Sequence, residues 1–411
     1  MKTAVCRSCG ASPLAPVLDL GMTPLANSLL TADQLSTTEP RFPLNVVRCT
    51  ACSLVQLDTT VPPEAMFGNY VYFSSFSSTM LEHARRLVDQ LIAGRQLNQK
   101  SRVIEVASND GYLLQYYKAR GIEVLGIEPA QNIARVARDE RGIPTLNEFF
   151  GQALADQLAT DRTYADVIHA HNVLAHVPQI NDFVSGLKTI LKPDGMIVIE
   201  VPYLKNLLDD LEFDTIYHEH IFYFSLTALD QLFSRNGLSI FDVLCVPIHG
   251  GSLRIFASHD GIVQRRQSVT ELLAGEAKWG VTESEPYLQF AERVGHLKQQ
   301  LLNVLRNLKA QGKRIVVYGA SAKGSTLLNT FEITHDLIDV VVDRSTVKQN
   351  LYTPGTHFLI KSPDILLETQ PDYVLLLTWN FADEILEQQA EYIARGGKFI
   401  IPLPEVRIVP A

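Results

Sequence analysis

The sequence predicts an α/β protein of three domains, and three observations lead to that prediction. The chain has 411 residues, which is too long for one ordinary hydrophobic core. Two Cys-x-x-Cys pairs lie near the amino terminus. Beyond them, apolar strands alternate with helices in two runs, the pattern of doubly wound parallel sheets. We therefore predict a zinc-binding domain over residues 1–65, a central Rossmann-like domain over 66–245 and a C-terminal Rossmann-like α/β domain over 246–411.

The composition argues against two classes of partner. The chain is 46% hydrophobic and 20% charged, with 36 basic against 45 acidic side chains and a net charge of −9. Binding to nucleic acid or to a membrane surface usually needs a basic footprint, so we expect neither. The sequence has no basic-plus-apolar leader and no apolar run of about 18 residues, so we expect a cytoplasmic protein without a membrane span.

The cysteine pairs predict a structural metal site. Cys6 and Cys9 form one pair and Cys49 and Cys52 the other. In a reducing compartment, four thiolates at this spacing favour one tetrahedral zinc ion over disulfides, and four ligands leave no position for substrate. Chance pairing or a redox site is the alternative. The fifth cysteine, Cys245, lies in an apolar stretch and is expected in the core.

The first elements are short. Residues 46–49 and 54–57 flank the second cysteine pair as paired strands of a zinc ribbon would, and Pro62-Pro63 suggests a domain boundary. An aromatic loop over 67–73 follows, and then a helix with an apolar face from Met80 to Ile92.

The two strand-and-helix runs come next, and their buried strands carry unbroken apolar stretches. In the central run we predict strands at 102–106, 123–128, 167–170 and 196–201, with a helix at 113–120. In the C-terminal run we predict a helix with an apolar stripe from Phe290 to Leu308, followed by strands at 314–318, 340–343, 373–378 and 398–402.

The turn after the first central strand predicts a nucleotide-like ligand. The run from Glu105 to Gly111 is a strand followed by a tight turn of small residues into a helix, where backbone N–H groups can contact a ligand. Glu128 closes the next strand and can accept hydrogen bonds from both hydroxyls of a ribose. Only one glycine of the G-x-G-x-x-G fingerprint is present, so the turn suits a pyrophosphate poorly.

This turn resembles the E-x-G-x-N-D-G version of the S-adenosylmethionine motif, with Ala107 replacing the first glycine. Residues 147–150 resemble the later motif that borders the adenine, and residues 171–177 resemble the motif that faces the methionine end. The resemblance implies S-adenosylmethionine as cofactor. The residues that it assigns to cofactor binding are Glu105, Ala107, Asn109, Gly111, Glu128, Asn147 and Asn172.

A dense polar cluster follows the central run. Tyr217, His218, Glu219 and His220 are consecutive, and Tyr223 comes shortly after. Such a cluster has little value to a hydrophobic core, because each polar tip would need a buried partner. It suits an enzyme that removes a proton from carbon next to a ketone, because that chemistry needs a base near neutral pKa and a group that stabilises the enolate oxygen.

Taken together, the chain resembles the nucleotide-sugar C-methyltransferases that make branched deoxysugars. The resemblance covers nearly the whole chain and rests most specifically on the Tyr-x-Glu-His element at 217–220 and the His-Gly-Gly-Ser-Leu-Arg element at 249–254. In that family an N-terminal zinc domain, a central methyltransferase domain and a C-terminal α/β domain occur in this order.

The resemblance implies roles for the cluster. His220 matches the family's proposed base, and its ordinary pKa near 6.5 suits that task. Glu219 could orient an imidazole or anchor a sugar hydroxyl, and Tyr217 and Tyr72 are candidate hydrogen-bond donors. His176 could protonate or hydrogen-bond the 4-keto oxygen.

Alternatives remain open for three of these positions. Tyr70 competes with Tyr72 in the aromatic loop, and His176 could simply cap the following helix. For His218 a structural role, or one that supports a neighbouring site residue, is the better interpretation.

Substrate binding is assigned to the C-terminal domain and its border. Residues 318–324 form a glycine-rich loop after a buried strand, where Ser321 and Lys323 can meet a pyrophosphate. Tyr223, His249 and Arg254 are further candidates, and the alternative is a domain without a ligand.

The predicted function is therefore transfer of a methyl group to C3 of a nucleotide-linked 4-keto-6-deoxysugar through an enolate. The alternatives are methylation at C5, an O- or N-methyltransferase acting on another small molecule, and a zinc-bearing scaffold that merely retains the fold. The expected partner is the nucleotide sugar, and we expect a monomer.

Overall fold

The computed structural model describes residues 4–62, 73–248 and 250–410. The strands in these residues are β1 Leu14–Thr23, β2 Phe42–Cys49, β3 Val55–Leu57, β4 Arg102–Val106, β5 Glu123–Ile127, β6 Thr145–Leu146, β7 Ala165–His171, β8 Leu191–Pro202, β9 Phe222–Tyr223, β10 Leu238–Val246, β11 Ser252–His259, β12 Ile315–Tyr318, β13 Val341–Val342, β14 Ile360–Lys361, β15 Tyr373–Leu376, β16 Lys398–Ile401 and β17 Arg407–Val409.

The α-helices connect and cover these strands. They are α1 Ser78–Arg95, α2 Leu114–Lys118, α3 Gln131–Arg135, α4 Gln152–Thr160, α5 Ile180–Ile190, α6 Leu204–Asp209, α7 Leu226–Arg235, α8 Gln267–Trp279, α9 Glu285–Ala310, α10 Ala322–Phe331, α11 Ile365–Thr369, α12 Ala382–Gln388 and α13 Ala390–Ala394. None of the helices in the described residues combines the length and the apolar character of a membrane span.

The first sheet has the strand order β1-β2-β3-β9. The two predicted ribbon strands are confirmed, and they pair antiparallel with Val46 opposite Leu57. The fourth strand was not expected, because β9 follows the polar cluster by sequence and joins this sheet with Val55 opposite Tyr223. The N-terminal domain and the polar cluster are therefore parts of one hydrogen-bonded structure.

The central sheet has the order β10-β11-β8-β7-β4-β5-β6. Strands β8, β7, β4, β5 and β6 are parallel, as the sequence predicts, and β11 and β10 extend the sheet antiparallel. By hydrogen bonding, residues 252–259 belong to this sheet, although they lie beyond residue 245, where we expected the central domain to end. At the sheet's edge Cys245 is exposed, so the expectation that it lies in the core is wrong.

The third sheet has the order β14-β13-β12-β15-β16-β17. Its first five strands are parallel and β17 is antiparallel, and the four predicted strands of this run are confirmed. The long helix α9 buries the predicted stripe from Phe290 to Leu308. One hydrophobic core contains this stripe, part of β1 and part of β12, so the N-terminal and C-terminal domains pack on a shared core.

Candidate active site and metal centre

The four cysteines come together as the sequence predicts. Their sulfur atoms all lie within 4.8 Å of one another, with Cys6 Sγ 3.5 Å from Cys52 Sγ and Cys9 Sγ 3.5 Å from Cys49 Sγ. A tetrahedral zinc ion with Zn–S bonds of about 2.3 Å needs sulfurs about 3.8 Å apart, so the cluster fits Zn²⁺.

The local backbone explains how each Cys-x-x-Cys pair forms its turn. Gly10 and Ser53, each directly after the second cysteine of its pair, have φ of 75° and 59°. Each donates its N–H to the carbonyl of the first cysteine, Gly10 to Cys6 at 2.8 Å and Ser53 to Cys49 at 2.9 Å. The two turns therefore have matching geometry and direct both sulfurs of each pair to one point.

The turn after β4 is left-handed at three of the predicted cofactor residues. Ala107, Asn109 and Gly111 have φ of 56°, 49° and 77°. A side chain at Gly111 would place its Cβ 2.7 Å from Ile143, so only glycine fits there. The Asn109 side chain accepts a hydrogen bond from the backbone N–H of Ser74 at 2.9 Å, which ties the segment before α1 to this turn.

Two buried carboxyl groups flank this turn. Glu105 is 0% exposed, and among the described residues neither of its oxygens has a hydrogen-bond partner. Burial, with the neighbouring charges of Asp110 and Glu128, raises its pKa well above the ordinary value. Glu128 accepts the backbone N–H groups of Asn109 at 3.0 Å and Ala130 at 2.9 Å, and burial raises its pKa to about 7.

Two predicted amides support the same edge of the sheet. Asn147 donates to the carbonyls of Glu128 and Pro129 at 2.9 and 2.8 Å and so fixes the turn that carries Glu128. Asn172, directly after β7, has φ of 53° and donates its N–H to the carbonyl of Glu200. The predicted cofactor residues therefore lie together at the edge of the central sheet that the carboxyl ends of its parallel strands form.

A buried network beside this edge was missed by the sequence analysis. The Glu200 carboxylate accepts hydrogen bonds from His83 Nε2 at 2.9 Å and Arg254 Nε at 2.5 Å, and His171 Nδ1 lies 3.2 Å away. These partners hold the pKa of Glu200 well below its ordinary value, although burial opposes them. We expected Arg254 to border the substrate cleft, but the structure buries it in the central sheet, paired with Glu200.

The polar cluster forms a compact group around His220. The ring atom Nδ1 of His220 lies 2.7 Å from the carbonyl oxygen of Thr215, and Nε2 lies 2.9 Å from the Tyr217 hydroxyl. The His176 ring packs edge-on against His220 with 4.9 Å between centroids. Burial lowers the pKa of His176 to about 4, and backbone hydrogen bonds oppose this shift only in part.

The N-terminal domain reaches this group through Asn27, which the sequence did not single out. Its side-chain amide donates to Glu219 Oε1 at 2.6 Å. Burial raises the pKa of Glu219, and the hydrogen bond from Asn27 lowers it in part. The His218 ring packs edge-on against Phe42 at 5.8 Å, in keeping with the structural interpretation. Tyr223 lies in the core shared with β1 and α9 rather than at an open cleft.

The glycine-rich loop after β12 has its predicted place at the start of α10. Ser321 caps this helix by accepting the N–H of Gly324 at 3.1 Å, and Ala320 donates its N–H to Asp343 at 2.8 Å. The ammonium of Lys323 lies 5.0 Å from the centroid of the Trp379 ring. Two remaining predicted site residues, Tyr72 and His249, lie outside the described residues.

Comparison with known proteins assigns each part of the chain. Residues 6–67 match a family model described as "Putative zinc binding domain", residues 78–243 a methyltransferase domain, and residues 247–404 a C-methyltransferase C-terminal domain. The chain is 38% identical over 407 residues to the C-methyltransferase NovU of Streptomyces niveus, and the match covers 99% of this chain and 97% of that protein.

Two similar solved structures each match about half of this chain. The PH0226 protein from Pyrococcus horikoshii is 15% identical with a TM-score of 0.38, covering 49% of this chain and 100% of that one. The magnesium protoporphyrin IX methyltransferase of Synechocystis with bound S-adenosylmethionine is 13% identical with a TM-score of 0.35, covering 48% of this chain and 89% of that one.

Loss of one zinc ligand should reduce stability. We expect Cys49→Ser to lose bound zinc and to lower the melting temperature by about 5 °C or more, because metal-binding free energy contributes directly to folding. Elemental analysis and thermal unfolding of the purified variant test this. Cys245→Ser is the control, because Cys245 is exposed and lies outside the cluster. A Cys49→Ser protein that keeps its zinc and its melting temperature would contradict a four-thiolate structural site.

Proposed function

Because this chain belongs to the C-methyltransferase family and is an S-adenosylmethionine-dependent methyltransferase, we propose that it methylates C3 of a nucleotide-linked 4-keto-6-deoxysugar. The observation that carries the proposal is the arrangement of His220. Its Nδ1 faces a backbone carbonyl and its Nε2 faces a phenol, with a second histidine ring 4.9 Å away.

The carbonyl of Thr215 sets which nitrogen of His220 can act as a base. A carbonyl oxygen only accepts hydrogen bonds, so Nδ1 carries the proton in the neutral ring and Nε2 holds the lone pair. The Tyr217 hydroxyl donates to this lone pair at 2.9 Å. In the proposed reaction Nε2 takes the proton from C3, either directly or through Tyr217, and the C–H electron pair becomes the enolate.

His176 is suited to the oxygen of that enolate. With a pKa of about 4 the ring is neutral at pH 7, so it acts as a hydrogen-bond donor to the C4 oxygen rather than as a cation that gives its proton away. Of the two actions considered for His176, protonation of the 4-keto oxygen and hydrogen bonding to it, the neutral ring favours hydrogen bonding. Glu219, held by Asn27, is placed to accept a hydroxyl of the sugar.

The edge of the central sheet fits the methyl donor. S-adenosylmethionine supplies an electrophilic methyl group on a positively charged sulfur. Glu105 is a buried carboxyl without a partner among the described residues, so it suits a ligand that brings positive charge. Glu128 is placed to accept the ribose hydroxyls. Together these groups would hold the donor beside the cluster.

The glycine-rich loop and Lys323 are proposed to hold the anionic end of the substrate. The loop lies at the start of α10, where the helix dipole favours negative charge, and Lys323 adds a full charge. In this arrangement the sugar lies between the central and C-terminal domains.

The substrate assay tests the proposal directly. The protein is incubated with S-adenosylmethionine and the thymidine- or guanosine-diphospho-4-keto-6-deoxysugars, each in 2-deoxy and 2-hydroxy form. Mass spectrometry should find one added methyl group on at least one of them, and NMR of that product should place it on C3. A methyl on C5, on oxygen, or on none of these sugars would contradict the proposal.

Removal of the base should abolish turnover without affecting the donor. We expect His220→Ala to lose at least about 100-fold in kcat, in keeping with the usual worth of a general base, while the Kd for S-adenosylmethionine stays within a few-fold. Steady-state kinetics and calorimetric titration measure the two quantities. His296→Ala is the control, because His296 is exposed on α9. A His220→Ala enzyme that keeps most of its rate would exclude His220 as the base.

Donor affinity should depend on pH through Glu128. Its pKa of about 7 means that the carboxylate, the form that accepts ribose hydroxyls, is lost as the pH falls below 7. Affinity for S-adenosylmethionine should therefore fall by up to about tenfold per pH unit between pH 7 and 5 and level off above pH 8.

Titrations across this range should give a shallower slope for Glu128→Gln, which cannot ionise. Glu123→Gln, an exposed position on the same strand, is the matched control. Equal slopes for the wild type and Glu128→Gln would rule out this role for Glu128.

A further inference from the structure

The segment 213–216 lies directly before the polar cluster, and helix α10 of the C-terminal domain holds it at both ends. The rings of Phe213 and Phe331 stack with 4.8 Å between centroids and 14° between planes. At the other end, the Thr326 hydroxyl lies 3.2 Å from the carbonyl of Ile216 and also 3.2 Å from the carbonyl of Ala322 on its own helix. The segment therefore packs on a helix that belongs to another domain.

A third contact comes from the residues after β15. The indole N–H of Trp379 donates to Asp214 Oδ2 at 2.7 Å. Asp214 is 0% exposed, and its other oxygen has no hydrogen-bond partner among the described residues. Backbone N–H groups of Asp214 and Thr215 also support this carboxylate, and the Trp379 indole is its one side-chain hydrogen-bond donor among the described residues. Losing that donor removes a hydrogen bond from a buried carboxyl, which is costly. Trp379 therefore fixes where Asp214 can lie.

Thr215 lies between these anchored residues, and its carbonyl accepts from His220 Nδ1 at 2.7 Å. We propose that the C-terminal domain positions the base, with Trp379 and Thr326 as positioning residues that hold the Thr215 carbonyl in place and so keep the proton of His220 on Nδ1. Neither residue touches the reacting atoms in this role. The proposal rests on the proposed function, in which His220 Nε2 removes the proton.

The Thr215 carbonyl affects the proposed base by selecting the tautomer of the His220 ring. When the carbonyl shifts, the neutral ring of His220 can carry its proton on either nitrogen, and the tautomer protonated at Nε2 cannot accept a proton there. The rate then falls with the fraction of the correct tautomer, while binding of donor and sugar stays unchanged. This pattern differs from that of a domain that only binds the substrate, whose loss would raise KM.

Two variants isolate the contacts in the full chain. Trp379→Phe removes the N–H to Asp214 but keeps an aromatic face for Lys323, and Thr326→Val removes the hydroxyl. Thr326→Ser keeps the hydroxyl and is the matched control. The first readout is ¹⁵N NMR of histidine-labelled protein, in which the His220 signals are those absent from His220→Ala. The second readout is kcat and KM for the nucleotide sugar that the enzyme methylates.

We expect wild type and Thr326→Ser to show His220 protonated at Nδ1. The double variant Trp379→Phe, Thr326→Val should show a mixture of the two His220 tautomers and a kcat reduced by up to about tenfold. Its KM and its Kd for S-adenosylmethionine should stay within about twofold of the wild-type values. An unchanged His220 spectrum in the double variant would overturn the proposal, whether or not kcat falls. The NMR readout needs no sugar, so it separates failure of this inference from failure of the proposed function.

Discussion

Backbone pairing between β9 and β3 is the constraint on which the arrangement of the candidate site depends. Residue Leu57 donates its N–H to the carbonyl of Ile221 at 2.8 Å, and Ile221 donates to the carbonyl of Ala175 at 2.8 Å. The residue after His220 is thus bonded both to the N-terminal sheet and to the segment that carries His176. The C-terminal domain holds residues 213–216. All three domains therefore contribute contacts that fix the position of residues 213–221. A cluster of polar side chains on a free loop would lack this fixed geometry, which catalysis by a positioned base requires.

The buried carboxyl groups of the central domain divide into two kinds. Glu200 is ionised and surrounded by His83, His171 and Arg254, so its charge is balanced inside the protein and it ties β7, β8, β11 and α1 together. Glu105 is equally buried but has no such partner among the described residues. A buried charge without a partner is strongly unfavourable, so burial raises the pKa of Glu105 and favours its neutral form. Glu200 thus has its charge balanced within the fold, whereas Glu105 is the buried carboxyl that we propose contributes to the donor site.

The sequence predicted the parts that depend on local pattern: the cysteine knuckles, the buried parallel strands, the stripe of α9 and the turn after β4. It did not predict contacts that only the tertiary fold creates. Asn27 and Glu219 are 192 positions apart, and Asp214 and Trp379 are 165 apart, so no local signal links them. The same limit explains Arg254 and Tyr223. Both have residue types typical of binding sites, yet β11 and β9 join sheets that their position in the sequence did not suggest, and sheet membership buries them.

The central claim is that His220, in this fixed setting, removes a proton from the carbon next to the ketone before any methyl group arrives. Deuterium exchange tests that step alone. The wild-type protein is incubated in D2O with the nucleotide-linked 4-keto-6-deoxysugar and without S-adenosylmethionine. The sugar is then recovered and its mass is measured by mass spectrometry. The account predicts one deuterium at C3 at a rate that His220→Ala abolishes. A sugar that is methylated when the donor is added, yet never exchanges its C3 hydrogen without the donor at any tested pH, would contradict it.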